Sequence, residues 1–106
     1  MRKLTENSQE SEKAIERYLA TQCAARGWLC LKYAATIGMA SGYPDRIVCT
    51  GAGHTAWVEL KSKGRKPTAL QLARHQQLRA FGYRVFVADS RAAVDELINA
   101  LATSAR

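Results

Sequence analysis

The sequence predicts an α/β fold in which a mixed four-stranded sheet is flanked by helices on both faces. Three observations lead to this prediction. Segments with helical periodicity alternate with short strand-like runs in the order αβββαβα. Only a glycine-containing turn separates the second strand from the third, which is typical of an antiparallel hairpin. A whole helix separates the third strand from the fourth, and that is long enough for a right-handed parallel crossover.

The first helix is predicted from Ser8 to Arg26, with Gly27 in the position where helices commonly end. Either Ser8 or Ser11 can cap its first turn. Apolar residues at helical spacing mark the face that it buries: Ile15, Leu19 and Cys23.

Four short runs with strand-like alternation are bounded by glycine, proline or polar residues and are predicted as the strands. They are Trp28–Tyr33, Asp45–Thr50, Thr55–Lys61 and Tyr83–Ala88. The stretch "AATIGMASGYP" is predicted as a loop between the first two strands, and "GAGH" as the hairpin turn.

The two remaining helices are predicted from their caps. Thr68 and Gln71 form a capping-box pattern that opens a helix extending to about Phe81. Asp89 or Ser90 can cap the last helix, whose apolar residues recur at helical spacing. The tail "ATSAR" is expected to fray.

Composition limits the classes of protein to consider. The chain has 106 residues, of which 47% are hydrophobic, so residues 1–106 are expected to form a single domain with a packed core. Its formal net charge is +7. An excess of this size in a small domain favours a polyanionic partner, and the alternative is a generally basic soluble protein.

The chain is expected to be soluble and cytoplasmic, from a bacterium or a virus. Its apolar stretches are much shorter than a membrane span, and "MRKLTENSQESEKAIE" is polar where a signal peptide is apolar. The three cysteines form no C-x-x-C pattern and lie among apolar neighbours, which favours buried thiols in a reducing compartment: Cys23, Cys30 and Cys49.

Two acids and a lysine lie on predicted strands. In the third strand Glu59 and Lys61 share one face, opposite the apolar Val58, because side chains alternate along a strand. Asp45 follows Pro44 and opens the neighbouring strand of the hairpin, so it can lie beside Glu59. Two converging carboxylates suit Mg²⁺ or Mn²⁺, and a lysine beside them suits phosphodiester hydrolysis. The alternative is surface decoration of an edge strand.

The same residues resemble a known family. The stretches "GYPDRIV", "WVELKSKGRKPTALQ" and "GYRVFVADS" are similar to the virus-type replication-repair nuclease domain, VRR-NUC, of the PD-(D/E)xK nuclease superfamily. The resemblance extends from about Glu12 to Leu101. It implies a restriction-endonuclease-like αβββαβ core with a mixed central sheet.

The resemblance also implies roles for the residues that match the family motifs. Asp45 and Glu59 would bind the divalent metal together with the backbone carbonyl of Leu60, and Lys61 would lie beside the attacking water. Gln71 would face the site from the start of the following helix. That role and the capping box with Thr68 are alternatives which the sequence leaves open.

The family has a further acid on its first helix. Glu12 is the best match, because it precedes Ile15 and Leu19 on one helical face, and Glu16 is its rival. The alternative is that Glu12 is a charged residue on the solvent-exposed face of the helix, with no role in the site. His54 and His75 fall in no metal-binding pattern and are assigned no role.

Basic residues near the motifs are the candidate DNA contacts. The loop after the Glu-x-Lys strand carries Lys63, Arg65 and Lys66. The alternative is that this loop is simply exposed to solvent and does not contact DNA. Arg46 could contact DNA or neutralise Asp45.

The resemblance implies a metal-dependent deoxyribonuclease. Small stand-alone members suggest a homodimer that acts on branched DNA such as a Holliday junction, in a DNA-repair setting. Two alternatives stay open: a non-catalytic nucleic-acid-binding module on a nuclease fold, and an RNA-processing nuclease.

Overall fold

A computed structural model describes residues 10–104 of the chain. Its elements confirm the predicted order and the α/β class. In chain order they are α1 (Glu12–Ala25), β1 (Leu29–Lys32), β2 (Arg46–Gly51), β3 (His54–Leu60), α2 (Ala69–Ala80), β4 (Arg84–Ala88) and α3 (Arg91–Ser104). Both ends of every strand lie within one residue of the predicted position, because side-chain alternation and turn residues are signals that can be read locally.

The four strands form one mixed sheet in the order β1-β2-β3-β4. β1 pairs with β2 and β2 with β3 in antiparallel fashion, whereas β3 and β4 are parallel. The predicted hairpin and the predicted parallel crossover through α2 are therefore both confirmed. The register shifts between Cys49 and Gly51, where the chain enters the hairpin turn. Ala52 has a φ of 53° in that turn and Gly53 one of 82°.

The apolar core lies on the sheet face that α1 and α3 cover. The two helices pack against each other, and Val48, Ala56 and Val58 beneath them are fully buried. Nine further residues complete this core from the two helices and the ends of β3 and β4: Ile15, Leu19, Cys23, Leu60, Ala88, Val94, Leu97, Ile98 and Leu101. The predicted apolar faces of the first and last helices are the ones that the core buries.

The opposite face of the sheet is only partly covered. α2 packs there against β4 and the end of β3, beside a cluster of aromatic rings with centroids 6.2–6.4 Å apart: Tyr33, Tyr43, Trp57 and Tyr83. On β1, Leu29 is 59% exposed and Leu31 is 48% exposed. Their partners in the register are Cys49 and Ile47 of β2.

The hydrogen bonds at the helix starts show which of the two candidate residues caps the first and the last helix. Ser11 Oγ accepts a hydrogen bond from Ala14 N at 3.1 Å, so Ser11 caps α1, and Ser8 lies outside the described residues. Ser90 Oγ accepts one from Ala93 N at 3.0 Å, so Ser90 rather than Asp89 caps α3. The prediction that residues 102–104 fray is wrong, because α3 continues to Ser104 and buries Leu101 in its last turns.

Two further observations bear on the sequence expectations. Cys23, Cys30 and Cys49 are free thiols. Within residues 10–104, no helix combines the length and the apolar character needed to cross a membrane.

Candidate active site

Asp45 and Glu59 meet at one end of the β2–β3 pair. Asp45 stands immediately before β2, and Glu59 is the next-to-last residue of β3. Arg46 is paired with Val58, so one further step along the antiparallel register brings Asp45 opposite Glu59. Asp45 Oδ2 accepts a hydrogen bond from Leu60 N at 2.8 Å. The Leu60 peptide therefore lies beside the two carboxyl groups.

The loop that leads into Asp45 is held by α2. Arg74 Nε donates to Ser41 O at 2.8 Å, and the Arg74 guanidinium lies 4.7 Å from the centre of the Tyr43 ring. Gly42 has a φ of 89°, and a Cβ at this position would lie 2.6 Å from Leu70 Cγ. Only glycine combines this backbone conformation with so close an approach of the helix. The contacts fix the chain just before the buried Pro44 and the partly buried Asp45.

Glu59 is 1% exposed, and both of its carboxyl oxygens contact α2. Gln71 Nε2 donates to Glu59 Oε2 at 3.0 Å, and His75 Nε2 lies 3.2 Å from Glu59 Oε1. Gln71 and His75 are four residues apart, which places them one turn apart on the same helix face. The helix therefore holds the carboxyl group of Glu59 at two points.

Gln71 fills both of the roles that the sequence leaves as alternatives. Its Oε1 accepts a hydrogen bond from Thr68 N at 2.8 Å, and its backbone N donates to Thr68 Oγ1 at 3.1 Å, which completes the capping box. Its Nε2 remains free to donate to Glu59. The two roles are compatible because the amide group has an acceptor on one side and donors on the other.

The charges at the site favour a proton or a cation between the two acids. Burial, and after it the neighbouring Asp45 carboxylate, together raise the pKa of Glu59 to about 8, against the opposing effect of Lys61. An ionised Glu59 beside an ionised Asp45 is thus unfavourable in the folded protein unless a positive charge joins them.

Glu12 and Glu16 of α1 lie in different surroundings. Partial desolvation and the charge of Asp45 raise the pKa of Glu12, and Lys61 opposes them. Glu12 is therefore within electrostatic reach of the acidic pair, although it is exposed to solvent. Partial burial alone would raise the pKa of Glu16, but its bonds to Lys32 and Arg46 outweigh this and lower the pKa.

Arg46 points to the other side of the sheet. Its Nε donates to Glu16 Oε2 at 2.8 Å, and its Nη1 donates to the carbonyl of Cys30 at 3.0 Å. The side chain is 18% exposed. The structure therefore joins Arg46 to Glu16 and does not bring it to the acidic pair.

Lys61 follows β3 directly. Its backbone N donates to Ala88 O at 3.0 Å, which continues the pairing of β3 with β4 by one residue. Its charge acts on the pKa values of Glu12, Glu59 and His75, so it lies among the acids of the site.

The basic loop begins two residues later, and its members are exposed: Lys63, Arg65 and Lys66. Within it, Arg65 N donates to Ser62 O at 3.0 Å. Arg65 also lowers the pKa of Glu12, although its effect is smaller than that of Lys61. The loop therefore carries its positive charge next to the acidic site.

The carboxyl groups of Asp45 and Glu59 are the candidate metal ligands at this end of the sheet. Among residues 10–104, no group of three or more histidine, cysteine, aspartate or glutamate side chains is assembled to hold a metal ion. Asp45 and Glu59 fit a hard divalent cation such as Mg²⁺, which is commonly held by one or two carboxylates with water and substrate phosphate as the other ligands.

His75 lies at the site, although the sequence analysis assigned it no role. It belongs to no metal-binding motif, and the structure places it against Glu59 with 1% exposure. The available signal was its spacing of four residues from Gln71, which predicts that both side chains face the same strand. His54 begins β3 at the opposite end from Glu59 and is exposed.

Comparisons with known proteins add to this geometry. No family model matches the chain. The chain is 36% identical over 80 residues to a protein described as "Putative nuclease p44" from Acyrthosiphon pisum secondary endosymbiont phage 1. This match covers 76% of the chain and 84% of the phage protein. A solved structure described as "VRR_NUC domain" is similar with a TM-score of 0.74 and 35% identity, over 83% of this chain and 94% of the solved one.

Proposed function

The chain belongs to the VRR-NUC family of nuclease domains, and on that basis we propose that it is a divalent-metal-dependent endonuclease which hydrolyses DNA phosphodiester bonds. The observation that carries the proposal is the placement of Asp45 beside the buried Glu59, with a lysine beside them and a basic loop next to them. A nuclease needs this combination of acids to hold a cation and bases to attract a polyanion.

Each residue of the site has a role in this proposal. Asp45 and Glu59 would hold the Mg²⁺ or Mn²⁺ ion, and the Leu60 carbonyl and the Glu12 carboxylate would be the candidates for further ligands. The bound ion would polarise the scissile phosphate and lower the pKa of a water molecule. Lys61 stabilises the negative charge that develops on the phosphate during attack. Gln71 orients Glu59 from the first turn of a helix whose first backbone N–H groups favour an anion.

Lys63, Arg65 and Lys66 bind the phosphate backbone in this proposal. They are exposed, they follow the site in the chain, and they contribute to the net charge of +7. Contacts of this kind hold DNA without reading its sequence. We therefore expect selection by DNA shape and propose branched DNA, including Holliday junctions in DNA repair, as the preferred substrate.

The test is a cleavage assay on a matched panel of substrates. Duplex, flap, Holliday-junction and single-stranded DNA, and the same strands as RNA, are each incubated with the protein in Mg²⁺, Mn²⁺ or EDTA. We expect cleavage of DNA with either metal, most rapid on the junction, and none in EDTA. Cleavage of RNA alone would identify an RNA-processing nuclease.

Binding measured on the same panel separates the remaining alternative. Salt-sensitive DNA binding without cleavage under any metal would identify a non-catalytic binding module and overturn the proposal. Cleavage that persists in EDTA would remove the metal from the proposal while leaving a nuclease. Asp45→Asn serves as the negative control, because it keeps the shape of the side chain and removes the charge.

We also propose that the chain forms one cytoplasmic domain and acts as a homodimer. One core joins α1, the sheet and α3, and the cysteines are free thiols. Leu29 and Leu31 are exposed on the β1 face that α2 leaves uncovered, and two copies can bury this face against each other. Two sites related by a two-fold axis would suit a branched substrate.

Leu31→Glu is expected to convert the dimer to a monomer, because it places a charge in the centre of the proposed contact. Light scattering coupled to gel filtration measures the change as a halving of the molar mass. Phe81→Glu is the matched control, since Phe81 is 81% exposed beyond the end of α2. A monomeric parent would rule out the dimer. A monomer caused by Phe81→Glu alone would place the contact elsewhere.

A further inference from the structure

We propose that His75 is a positioning residue which fixes the orientation of the Glu59 carboxylate for metal binding. The inference rests on the proposed function, because it concerns the same acidic pair. It assigns a role to a histidine that belongs to none of the sequence motifs.

The first step is the two-point contact. Gln71 Nε2 holds Glu59 Oε2 at 3.0 Å, and His75 Nε2 lies 3.2 Å from Glu59 Oε1. With Gln71 alone, the carboxyl group could still rotate about its terminal torsion, which has a broad and shallow profile. The second contact fixes the plane of the carboxyl group. Its remaining lone pairs are then free for the side that Asp45 shares.

The second step is burial. Glu59 and His75 are each 1% exposed, so solvent offers neither group an alternative hydrogen-bond partner. A buried polar group that loses its partner is destabilised, because no water molecule replaces the lost hydrogen bond. The contact is therefore favoured in the folded protein, and it orients Glu59 in the absence of a metal.

The third step is the support of the helix itself. Gln71 is fixed by the capping box at Thr68, and the next turn carries Arg74 against the loop that precedes Asp45. One helix therefore positions both acids, through His75 and Gln71 for Glu59 and through Arg74 for Asp45. Partners of this kind that orient metal-binding side chains typically change metal affinity by 10- to 100-fold when replaced.

The test compares two side chains of similar length and volume at position 75. His75→Gln keeps a nitrogen near the place of Nε2, whereas His75→Met fills the same space without a donor. Mn²⁺ affinity is measured by electron paramagnetic resonance or calorimetry in the absence of nucleic acid, and thermal unfolding in EDTA verifies that each variant is folded. Should methionine prevent folding, His75→Leu takes its place.

We expect His75→Met to weaken Mn²⁺ binding by at least about 10-fold. We expect His75→Gln to bind within about threefold of the parent, and DNA binding without metal to be unchanged in both variants. Equal Mn²⁺ affinity of the methionine variant and the parent would overturn the inference. Equal weakening by methionine and glutamine would also overturn it, because packing of the ring would then be the cause.

The measurement separates this inference from the function on which it rests. A parent protein that binds no Mn²⁺ and cuts no DNA would refute the proposed function itself. A parent that binds Mn²⁺ and cuts DNA, together with a methionine variant that does both equally well, would refute only the role of His75.

Discussion

Glu59→Gln is expected to lower the rate of metal-dependent DNA cleavage by at least about 1,000-fold, which corresponds to about 4 kcal/mol of transition-state stabilisation. The substitution removes one of the two carboxylates that hold the cation in the proposed site. The amide fits the same place, because its oxygen can accept from Gln71 Nε2 while its NH₂ group donates to His75 Nε2. The loss of rate should therefore occur in a folded protein.

The same substitution should change how the stability of the metal-free protein depends on pH. The pKa of Glu59 is raised to about 8 in the folded protein, from the ordinary value of 4.5. Between these two pH values the folded chain binds more protons than the unfolded chain, so the stability of the parent decreases as pH rises. Glutamine does not titrate. At pH 9 in EDTA, Glu59→Gln should accordingly be more stable than the parent by about 2–4 kcal/mol.

The groups that face Glu59 determine the size of this effect. Burial raises the pKa of Glu59 most, and Asp45, immediately before β2, raises it next. Lys61, directly after β3, lowers it, and Glu12 raises it from α1. His75 contacts Glu59 from α2. Added Mn²⁺ should reverse the loss of stability in the parent at pH 9 and have little effect on the variant.

Single-turnover cleavage at saturating Mn²⁺ gives the rate, and urea unfolding in EDTA at pH 5 and pH 9 gives the stability. Glu96→Gln is the control, because Glu96 is exposed on α3 and outside the site. A Glu59→Gln variant that cuts DNA at the rate of the parent would exclude Glu59 from the metal site. Parallel changes of stability with pH in the variant and the parent would exclude Glu59 as the titrating group.

Lys61→Met is expected to lower the cleavage rate by about 100- to 1,000-fold with little change in DNA affinity. Removing a single group that stabilises transition-state charge typically has an effect of this size. Lys61 lies among the acids, where its charge acts on Glu12 and Glu59, so its main contribution is to the chemical step. Methionine keeps the length of the side chain and its packing.

Lys63→Met is the matched comparison, since it removes the same charge two residues further along, on the exposed loop. It should weaken DNA binding and reduce the slope of log affinity against log salt by about 0.9, with the rate on saturating DNA unchanged. Fluorescence anisotropy across a salt series gives the affinity, and single-turnover kinetics gives the rate. The reverse result, with binding lost at Lys61 and rate lost at Lys63, would assign the two lysines the opposite roles.

Much of the fold was predictable because its signals are local. The helix caps, the glycine stops and the alternation along each strand are read within a few residues. The pairing of strands followed from connection length, since a short turn permits only an antiparallel hairpin and a helix permits a parallel return. The end of α3 was the exception: its last turns are retained because Leu101 is buried by tertiary contacts, which a polar tail does not reveal.

The site was predictable in part for the same reason. Glu59 and Lys61 share a face through strand alternation, and the hairpin brings Asp45 opposite Glu59. The sequence could not decide whether Glu12 or Glu16 is the helix acid near the site, because both lie on the first turns of one helix. Their surroundings differ only once Lys32 and Arg46 of the sheet are placed against Glu16.

By itself, the sequence determined the α/β class, the order of the elements and the acid and lysine motifs on adjacent strands. These features depend on backbone periodicity and on residues that are close along the chain. The tertiary structure decided that Gln71 fills both of its roles, that His75 contacts Glu59 and that Arg46 bonds to Glu16. Such choices depend on which side chains from different elements meet in the folded chain. They are strictest where water is excluded, as between Glu59 and His75, because a buried polar group that misses its partner has no other.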